Sequence, residues 1–142
     1  MTQVAIFDVL GVPKGQPRAR ACIRGQRAGV YDPGTAAAWK ANVLYAARPF
    51  IPATPLDCPI RLMVSLYFPR PARLTRKSSP EGAIPYTSKP DADNALKAIM
   101  DALTDAGMWR DDALIYSATV EKFYASKDES PGAIIRIFKA DD

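Results

Sequence analysis

The chain has 142 residues and a mass of 15.5 kDa, and its 48% hydrophobic and 24% charged residues are typical of one globular domain spanning residues 1–142. It carries a net charge of +4 and contains no histidine, which excludes zinc fingers, histidine general bases and Ser-His-Asp triads. Two cysteines are too few for a disulfide framework, and no apolar run approaches the roughly 20 residues of a membrane span.

The first half of the chain predicts strands and one helix. A strand over Val4–Val12, a basic loop over Pro13–Arg20 and a hairpin with strands around Ala21–Ile23 and Val30–Tyr31 come in that order. Thr35 is the predicted N-cap of a helix that ends before Pro49. One face of this helix should enter the core, through Trp39, Val43, Leu44 and Ala47.

The second half begins with a strand over Pro59–Pro69, in which every second residue is apolar. Arg70–Ser88 has no periodicity, and we expect a long mobile loop. A helix then runs from about Asn94 to Gly107, followed by strands over Leu114–Ala125 and Gly132–Lys139. The buried face of this helix should consist of Leu96, Ile99, Met100 and Leu103. The element order predicts an α+β fold, a two-layer sandwich of helices on a mixed or antiparallel sheet.

Acidic residues are concentrated between Asp91 and Asp112. These 22 residues hold six acidic and two basic side chains, a net charge of −4, whereas the rest of the chain carries +8. A basic surface attracts a polyanion, and an acidic pocket binds divalent cations. This charge distribution is expected of a metal-dependent enzyme that acts on a nucleic-acid backbone.

Three carboxylates are the candidate metal ligands. Asp91 and Asp93 precede the helix at i, i+2 spacing, and we expect the Gly107 turn to return Asp112 beside them. A site made of carboxylate oxygens suits Mg²⁺, with Mn²⁺ as a substitute. Lys97 follows Asp93 by one helical turn, so its ammonium is a candidate catalytic group that contacts a phosphate.

Each of these residues also has a purely structural explanation. Asp91, Asp93 or Asn94 can act as an N-cap, and Asp111 and Asp112 as turn residues before a strand. Lys97 can belong to a solvated ladder with Asp93, Asp101 and Asp105. Trp109 is more typical of a core residue than of a base-stacking one.

The motifs around these residues resemble the RusA-type Holliday-junction resolvases. The resemblance rests on KPDADNALKAIMDAL (Lys89–Leu103), GMWRDDALI (Gly107–Ile115) and VEK (Val120–Lys122). The segments Gly11–Arg20 and Val30–Pro33 also look like the start of such a protein.

The resemblance implies that Asp91, Asp93 and Asp112 bind metal and that Lys97 is the essential basic residue. It also implies a small homodimer that makes paired, metal-dependent nicks in four-way DNA junctions during recombination and repair. Many members of this family come from prophages and phages. Because its start lacks a basic n-region, we expect no signal peptide and a cytoplasmic protein, with no membrane attachment and no organic cofactor.

Two further expectations concern DNA and assembly. Basic walls should surround the acidic pocket and contact phosphates, with Lys14, Arg18, Arg20, Arg70, Arg73, Arg76, Lys77 and Lys89 as their residues. One acidic set per chain and two cuts per junction predict a twofold dimer, with interface candidates in the first strand and in Leu114–Ala125. The competing hypothesis is a non-catalytic junction or single-strand binder whose acidic cluster is structural.

Overall fold

A computed structural model of the chain describes residues 1–17, 20–24, 27–31 and 36–140, with 20–24 and 27–31 described by their backbone only. The two α-helices and seven strands within these ranges are β1 (Thr2–Leu10), β2 (Arg20–Arg24), β3 (Arg27–Tyr31), α1 (Ala37–Ala47), β4 (Ile60–Phe68), β5 (Ile84–Pro85), α2 (Ala92–Ala106), β6 (Ile115–Tyr124) and β7 (Gly132–Lys139), and three 3-10 helices cover Arg48–Phe50, Ala72–Leu74 and Asp112–Leu114. None of the helices in these ranges has the length and apolar character needed to cross a membrane.

Five strands form a mixed sheet in the order β1-β7-β4-β6-β5, and β2 and β3 form a separate hairpin. The β4–β6 pair is parallel, and the other pairs are antiparallel. Both helices pack against this sheet, which confirms the predicted α+β fold. The hairpin was predicted as well, although Gly25 in its turn lies outside the described residues.

The core lies between the helices and one face of the sheet. In β4, buried residues alternate with half-buried ones, as the sequence predicted, and the buried ones are Ile60, Leu62, Val64, Leu66 and Phe68. In α1, Trp39, Val43 and Ala47 are buried as expected, but Leu44 is exposed, so its place in the core stripe was wrong. The predicted N-cap Thr35 lies outside the described residues.

The face that α2 buries differs from the predicted one. Ile99 and Leu103 are fully buried, whereas Leu96 and Met100 are only partly buried. Small residues take their place in the core, namely Ala95, Ala98 and Ala102. Because alanine has a short side chain, α2 can approach α1 and the sheet closely, and the longer side chains lie at the edges of the contact.

The segment Arg70–Ser88 contains regular structure that the sequence did not predict. A 3-10 turn covers Ala72–Leu74, and the two-residue strand β5 pairs with the end of β6. The Arg70 side chain crosses this segment and donates five hydrogen bonds to main-chain carbonyls, those of Leu74, Pro80, Glu81, Gly82 and Ala125. The segment is therefore a long loop, as predicted, with two short regular elements that the sequence did not predict, and its mobility stays a prediction.

Candidate active site

The start of α2 presents two carboxylates on the protein surface. Asp91 has extended backbone angles (φ −61°, ψ 151°) at the N-cap position, and Asp93 lies in the first turn. Among the described residues, no helix N–H donates to the Asp91 side chain, so the capping explanation does not account for its carboxylate. Its Oδ1 instead accepts from Lys89 Nζ at 2.9 Å. Asp91 and Asp93 are both exposed and can be reached by a ligand.

Lys97 lies one turn further along α2, and 61% of its side chain is exposed. Its Nζ is 3.6 Å from Asp101 Oδ2, an i, i+4 pair that matches one step of the predicted ladder. An exposed pair of this kind contributes only about 0.3–0.5 kcal/mol. The ammonium therefore remains accessible to a phosphate.

The first basic loop packs directly against the start of α2. Gln16 N donates to Asn94 O at 3.1 Å. A Cβ on Gly15 would collide with Asn94 Nδ2 and would lie 3.1 Å from Pro90 Cβ. The glycine thus permits a close approach of the loop to the start of α2, and the neighbouring Lys14 is exposed. The DNA contact of Lys14 stays a prediction, and Arg18 and the side chain of Arg20 lie outside the described residues.

Asp111 and Asp112 begin a 3-10 turn immediately before β6. The Asp111 carboxylate accepts from Ala113 N at 2.8 Å, which confirms the structural explanation for Asp111. Asp112, by contrast, is the first residue of the turn and is half-buried. Trp109 is a core residue, 1% exposed, and its Nε1 donates to Thr104 Oγ1 at 2.7 Å.

The candidate metal ligands lie at opposite ends of β6, with Asp91 and Asp93 at one end and Asp112 at the other. Because β4 and β6 are parallel and α2 connects them, α2 runs antiparallel to both strands. The start of α2 therefore lies at the C-terminal end of β6, where Lys122 Nζ donates to Pro90 O at 2.7 Å. Ile115 and Lys122 are about 23 Å apart along the strand, at ~3.3 Å per residue. The Gly107 turn does not return Asp112 to the start of α2, contrary to the expectation.

A metal site of three carboxylates is accordingly not assembled within one described chain. Among the described residues, no group of three or more His, Cys, Asp or Glu side chains is arranged to hold an ion. Asp91 and Asp93 still offer the oxygen donors that Mg²⁺ and Mn²⁺ prefer. One chain thus supplies part of the expected ligand set at the start of α2.

The basic side chains of the second basic segment, Arg70–Ser88, are of two kinds. The Arg70 guanidinium is engaged by main-chain carbonyls, so its role in the structure is to order the loop. Arg73, Arg76 and Lys77 are exposed on the surface of the same segment. Lys89 is also exposed and pairs with Asp91.

The sequence analysis assigned no role to Lys122 or Tyr86, which together hold the segment before Asp91. Tyr86 stacks on Phe68 with ring centroids 3.9 Å apart, and its hydroxyl donates to Lys89 O at 2.6 Å. Burial, with a smaller contribution from Tyr124, raises the pKa of Tyr86, which favours the protonated donor. A signal for Lys122 was present, because it occupies an inward position of β6 between Val120 and Tyr124.

The family model described as "Endodeoxyribonuclease RusA" matches residues 11–138, nearly the whole chain. The chain belongs to the RusA endodeoxyribonuclease family. It is also 30% identical over 126 residues to the uncharacterized protein YqaN of Bacillus subtilis (strain 168). The aligned region covers 85% of this chain and 88% of YqaN.

The RusA match confirms the resemblance found in the sequence motifs. RusA proteins act on branched DNA junctions, and membership supports a nuclease function for this chain. The matched range contains the start of α2, the first basic loop with Lys14 (from here on the Lys14 loop) and Asp112.

Proposed function

We propose that the protein is a divalent-metal-dependent endonuclease that resolves four-way DNA junctions by paired, symmetric nicks in recombination and repair. The observation that carries the proposal is the arrangement of side chains at the start of α2, in a chain of the RusA family. There, Asp91, Asp93 and Lys97 are exposed on one short stretch, and the Lys14 loop packs beside them. We place the protein in the cytoplasm, where its DNA substrate would be reached, with no organic cofactor.

Asp91, Asp93 and Asp112 would hold Mg²⁺ or Mn²⁺. A bound cation would offset charge on the phosphodiester and make water a better nucleophile. The reaction is hydrolysis, in which water adds oxygen to phosphorus, the bond from phosphorus to the 3′ oxygen breaks, and that oxygen gains a proton. The products carry a 5′-phosphate and a 3′-hydroxyl, which a ligase can seal. Lys97 would contact the phosphate and stabilise its developing negative charge.

Because Asp112 lies at the far end of β6, we infer that the acidic set is completed across a twofold dimer. Asp91 and Asp93 of one chain would combine with Asp112 of the partner subunit. An isologous dimer contains two such sites, related by the same symmetry as the two cuts. The separation of the carboxylates in one chain thus supports the homodimer predicted from the two-cut reaction.

The outer edge of β6 is a suitable place for this contact. In the described part of the chain, β5 and the adjoining Tyr86 cover this edge only at Lys122–Tyr124, so the edge of Ile115–Glu121 is left uncovered. Uncovered strand edges present main-chain groups that can pair with another chain. Antiparallel pairing of two β6 edges would bring Asp112 of the partner subunit to the end where Asp91 begins α2.

DNA contacts would come from exposed cations on this side of the molecule. We assign the phosphate contacts to Lys14, Lys89, Arg73, Arg76 and Lys77, with Arg18 and Arg20 as further candidates outside the described side chains. Arg70 keeps a place in the DNA-binding loop as the residue that orders it. Such contacts carry affinity without reading the base sequence.

The first test is incubation of a labelled four-way junction with the protein in Mg²⁺ or in EDTA. We expect nicks at symmetry-related positions in Mg²⁺, nicked products that ligase seals, and intact junction in EDTA. A second candidate is a non-catalytic junction binder with a structural acidic cluster, because no group of three metal-ligating side chains is arranged to hold an ion within the described part of one chain. A protein that shifts the junction in a gel but leaves it uncut in Mg²⁺ and in Mn²⁺ would be that binder.

A mixing experiment tests the shared site. Asp93→Asn and Asp112→Asn chains should each be inactive as homodimers, but their heterodimer would contain one intact Asp91/Asp93/Asp112 set. An equimolar, subunit-exchanged mixture should therefore recover single nicks from about half of its dimers. A mixture of Asp91→Asn and Asp93→Asn chains is the matched control, since neither site in that heterodimer is intact. If the first mixture stays as inactive as the control, the shared site is refuted.

A further inference from the structure

Lys122 is a half-buried lysine whose ammonium contacts the segment before α2 at several points. Its Nζ donates to Ser88 O at 2.9 Å and to Pro90 O at 2.7 Å. The same Nζ lies 5.4 Å from the centre of the Tyr86 ring, within cation–π distance. Three contacts therefore connect one side chain of β6 to the five residues Tyr86–Pro90.

Hydrogen bonds of Tyr86 also fix the main chain of this segment. Tyr86 N donates to Lys122 O at 2.9 Å, and the Tyr86 hydroxyl donates to Lys89 O at 2.6 Å. Tyr86 itself is fixed by stacking on Phe68 and by an edge contact with Tyr124 at 4.9 Å between ring centroids. The carbonyls of residues 88, 89 and 90 thus all accept hydrogen bonds from Lys122 or Tyr86.

These bonds end at the residue that precedes the first carboxylate. Asp91 follows Pro90 directly, and its carbonyl accepts the first helical bond, from Ala95 N at 2.9 Å. The orientation of the peptides before Asp91 therefore sets where its carboxylate points and where the α2 axis begins. Metal ligands lose affinity when their direction changes slightly, which is why the groups that orient them matter.

Lysine suits this position for a chemical reason. Its ammonium has three donors and no acceptor, so it can satisfy two carbonyls at once and still face an aromatic ring. An apolar residue of the same length would fill the space but leave the carbonyls of Ser88 and Pro90 without this donor. The position belongs to the inward face of β6, where a charged residue is not required for packing.

We propose that Lys122 is a positioning residue for the acidic site. It contacts neither the phosphate nor the metal, and it acts by fixing the main chain of residues 88–90 so that Asp91 and Asp93 present their oxygens to one cation. This inference rests on the proposed nuclease function, because it assigns the two carboxylates to a metal. It assigns a task to a residue of the Val120–Lys122 motif that the proposed reaction leaves unused.

The test is a titration of Mg²⁺ and of Mn²⁺ with the full chain at saturating four-way junction, comparing wild type with Lys122→Met. Methionine keeps the length of the side chain and removes its charge and donors. We expect the metal concentration for half-maximal cleavage to rise about 10–100-fold. The rate at saturating metal should recover much of the wild-type value, since the cleavage groups remain. Lys122→Arg, which keeps donors and charge, should restore most of the metal affinity.

Lys127→Met is the matched control. Lys127, in the turn between β6 and β7, is also a shielded lysine, 15% exposed, whose Nζ donates to Arg76 O at 2.8 Å and pairs with Glu81. Its replacement should lower the melting temperature comparably and leave the metal midpoint at the wild-type value. Because Lys122→Met can fail to fold, Tyr86→Phe is the second variant. It removes only the hydroxyl bond to Lys89 O and should raise the midpoint about 2–5-fold, a smaller effect than full loss of an orienting group.

Direct Mn²⁺ binding, measured by electron paramagnetic resonance without DNA cleavage as the readout, separates the two proposals. Wild type that neither binds Mn²⁺ in the presence of junction nor cleaves would refute the proposed function itself. Wild type that does both, with Lys122→Met or Tyr86→Phe at the wild-type metal midpoint, would overturn only the role of Lys122. An equal rise in Lys127→Met would also overturn it, because loss of stability would then explain the effect.

Discussion

The two ends of β6 differ in how firmly they are held and in what they present. At the C-terminal end, β5 pairs with Phe123 and Tyr124, and Lys122 and Tyr86 hold the segment that leads to Asp91. At the N-terminal end, Asp112 stands in a 3-10 turn beside the uncovered strand edge. The first end is ordered by contacts inside the chain, whereas the second offers main-chain groups to a neighbour. In the proposed dimer, one chain would supply Asp91 and Asp93 at its ordered end, and the partner subunit would supply the remaining carboxylate.

The largest expected effect comes from removing a carboxylate at either end. Asp93→Asn and Asp112→Asn should each lower single-turnover cleavage by about 10³-fold or more, as losses of essential catalytic groups do. Both variants should keep their fold and bind the junction at least as tightly, since a negative charge facing phosphate is lost. Asp105→Asn, an equal charge change at an exposed site of α2, should cleave like wild type. Normal cleavage by Asp112→Asn would remove the N-terminal end of β6 from the site.

The next effect concerns Lys97. Lys97→Ala should lower the cleavage rate about 10²-fold with little loss of junction binding, because an interaction made mainly in the transition state affects the rate more than affinity. The comparison variant is Asp101→Asn, which removes the other half of the ion pair. If Lys97 were only part of a surface ladder, the two variants would behave alike, each with a small loss of stability and a normal rate.

A smaller effect, on the free energy of unfolding, tests how the C-terminal end of β6 is ordered. Arg70→Met removes five hydrogen bonds to carbonyls and should lower the free energy of unfolding by roughly 2–4 kcal/mol, because bonds from a charged donor are among the stronger ones. Arg73→Met, on the exposed surface of the same segment, should change it by less than about 0.5 kcal/mol. Urea unfolding of both variants measures the difference, and equal stability would contradict the ordering role of Arg70.

The smallest effect concerns DNA affinity at the two ends. Lys14→Ala should weaken junction binding severalfold and reduce the slope of log affinity against log salt by about 0.9, the value for one phosphate contact. Lys139→Ala removes the same charge near the N-terminal end of β6, since Lys139 pairs with Ile60 in the sheet. Its slope should stay at the wild-type value. A fluorescence titration at several salt concentrations checks both, and an unchanged slope in Lys14→Ala would remove the first loop from the interface.

Local patterns in the sequence were sufficient for most elements. Alternating apolar residues identified β4, the Gly107 stop identified the end of α2, and the hairpin β2–β3 followed from its turn. These features depend on neighbours within a few residues, so the sequence contains them directly. The family motif also identified Asp91, Asp93, Lys97 and Asp112 as one functional set, which remains a proposal for this chain.

Other features depended on residues that are distant in the chain. The two-residue strand β5 exists because β6 offers it a partner, and Arg70 orders its segment partly by reaching Ala125, 55 residues away. Lys122 gains its contacts because the fold brings β6 to residues 88 and 90. Short-range periodicity carries no information about such contacts.

The sequence by itself determined the family, the α+β class and the candidate residues of the proposed chemistry. Only the tertiary structure decided how those residues are distributed in space. The parallel pairing of β4 and β6 forces α2 to run antiparallel to both strands, so residues before α2 and residues after it must lie at opposite ends of the sheet. Strand direction is a property of long-range pairing, and for this reason the separation of Asp91 from Asp112 became evident only in the folded chain.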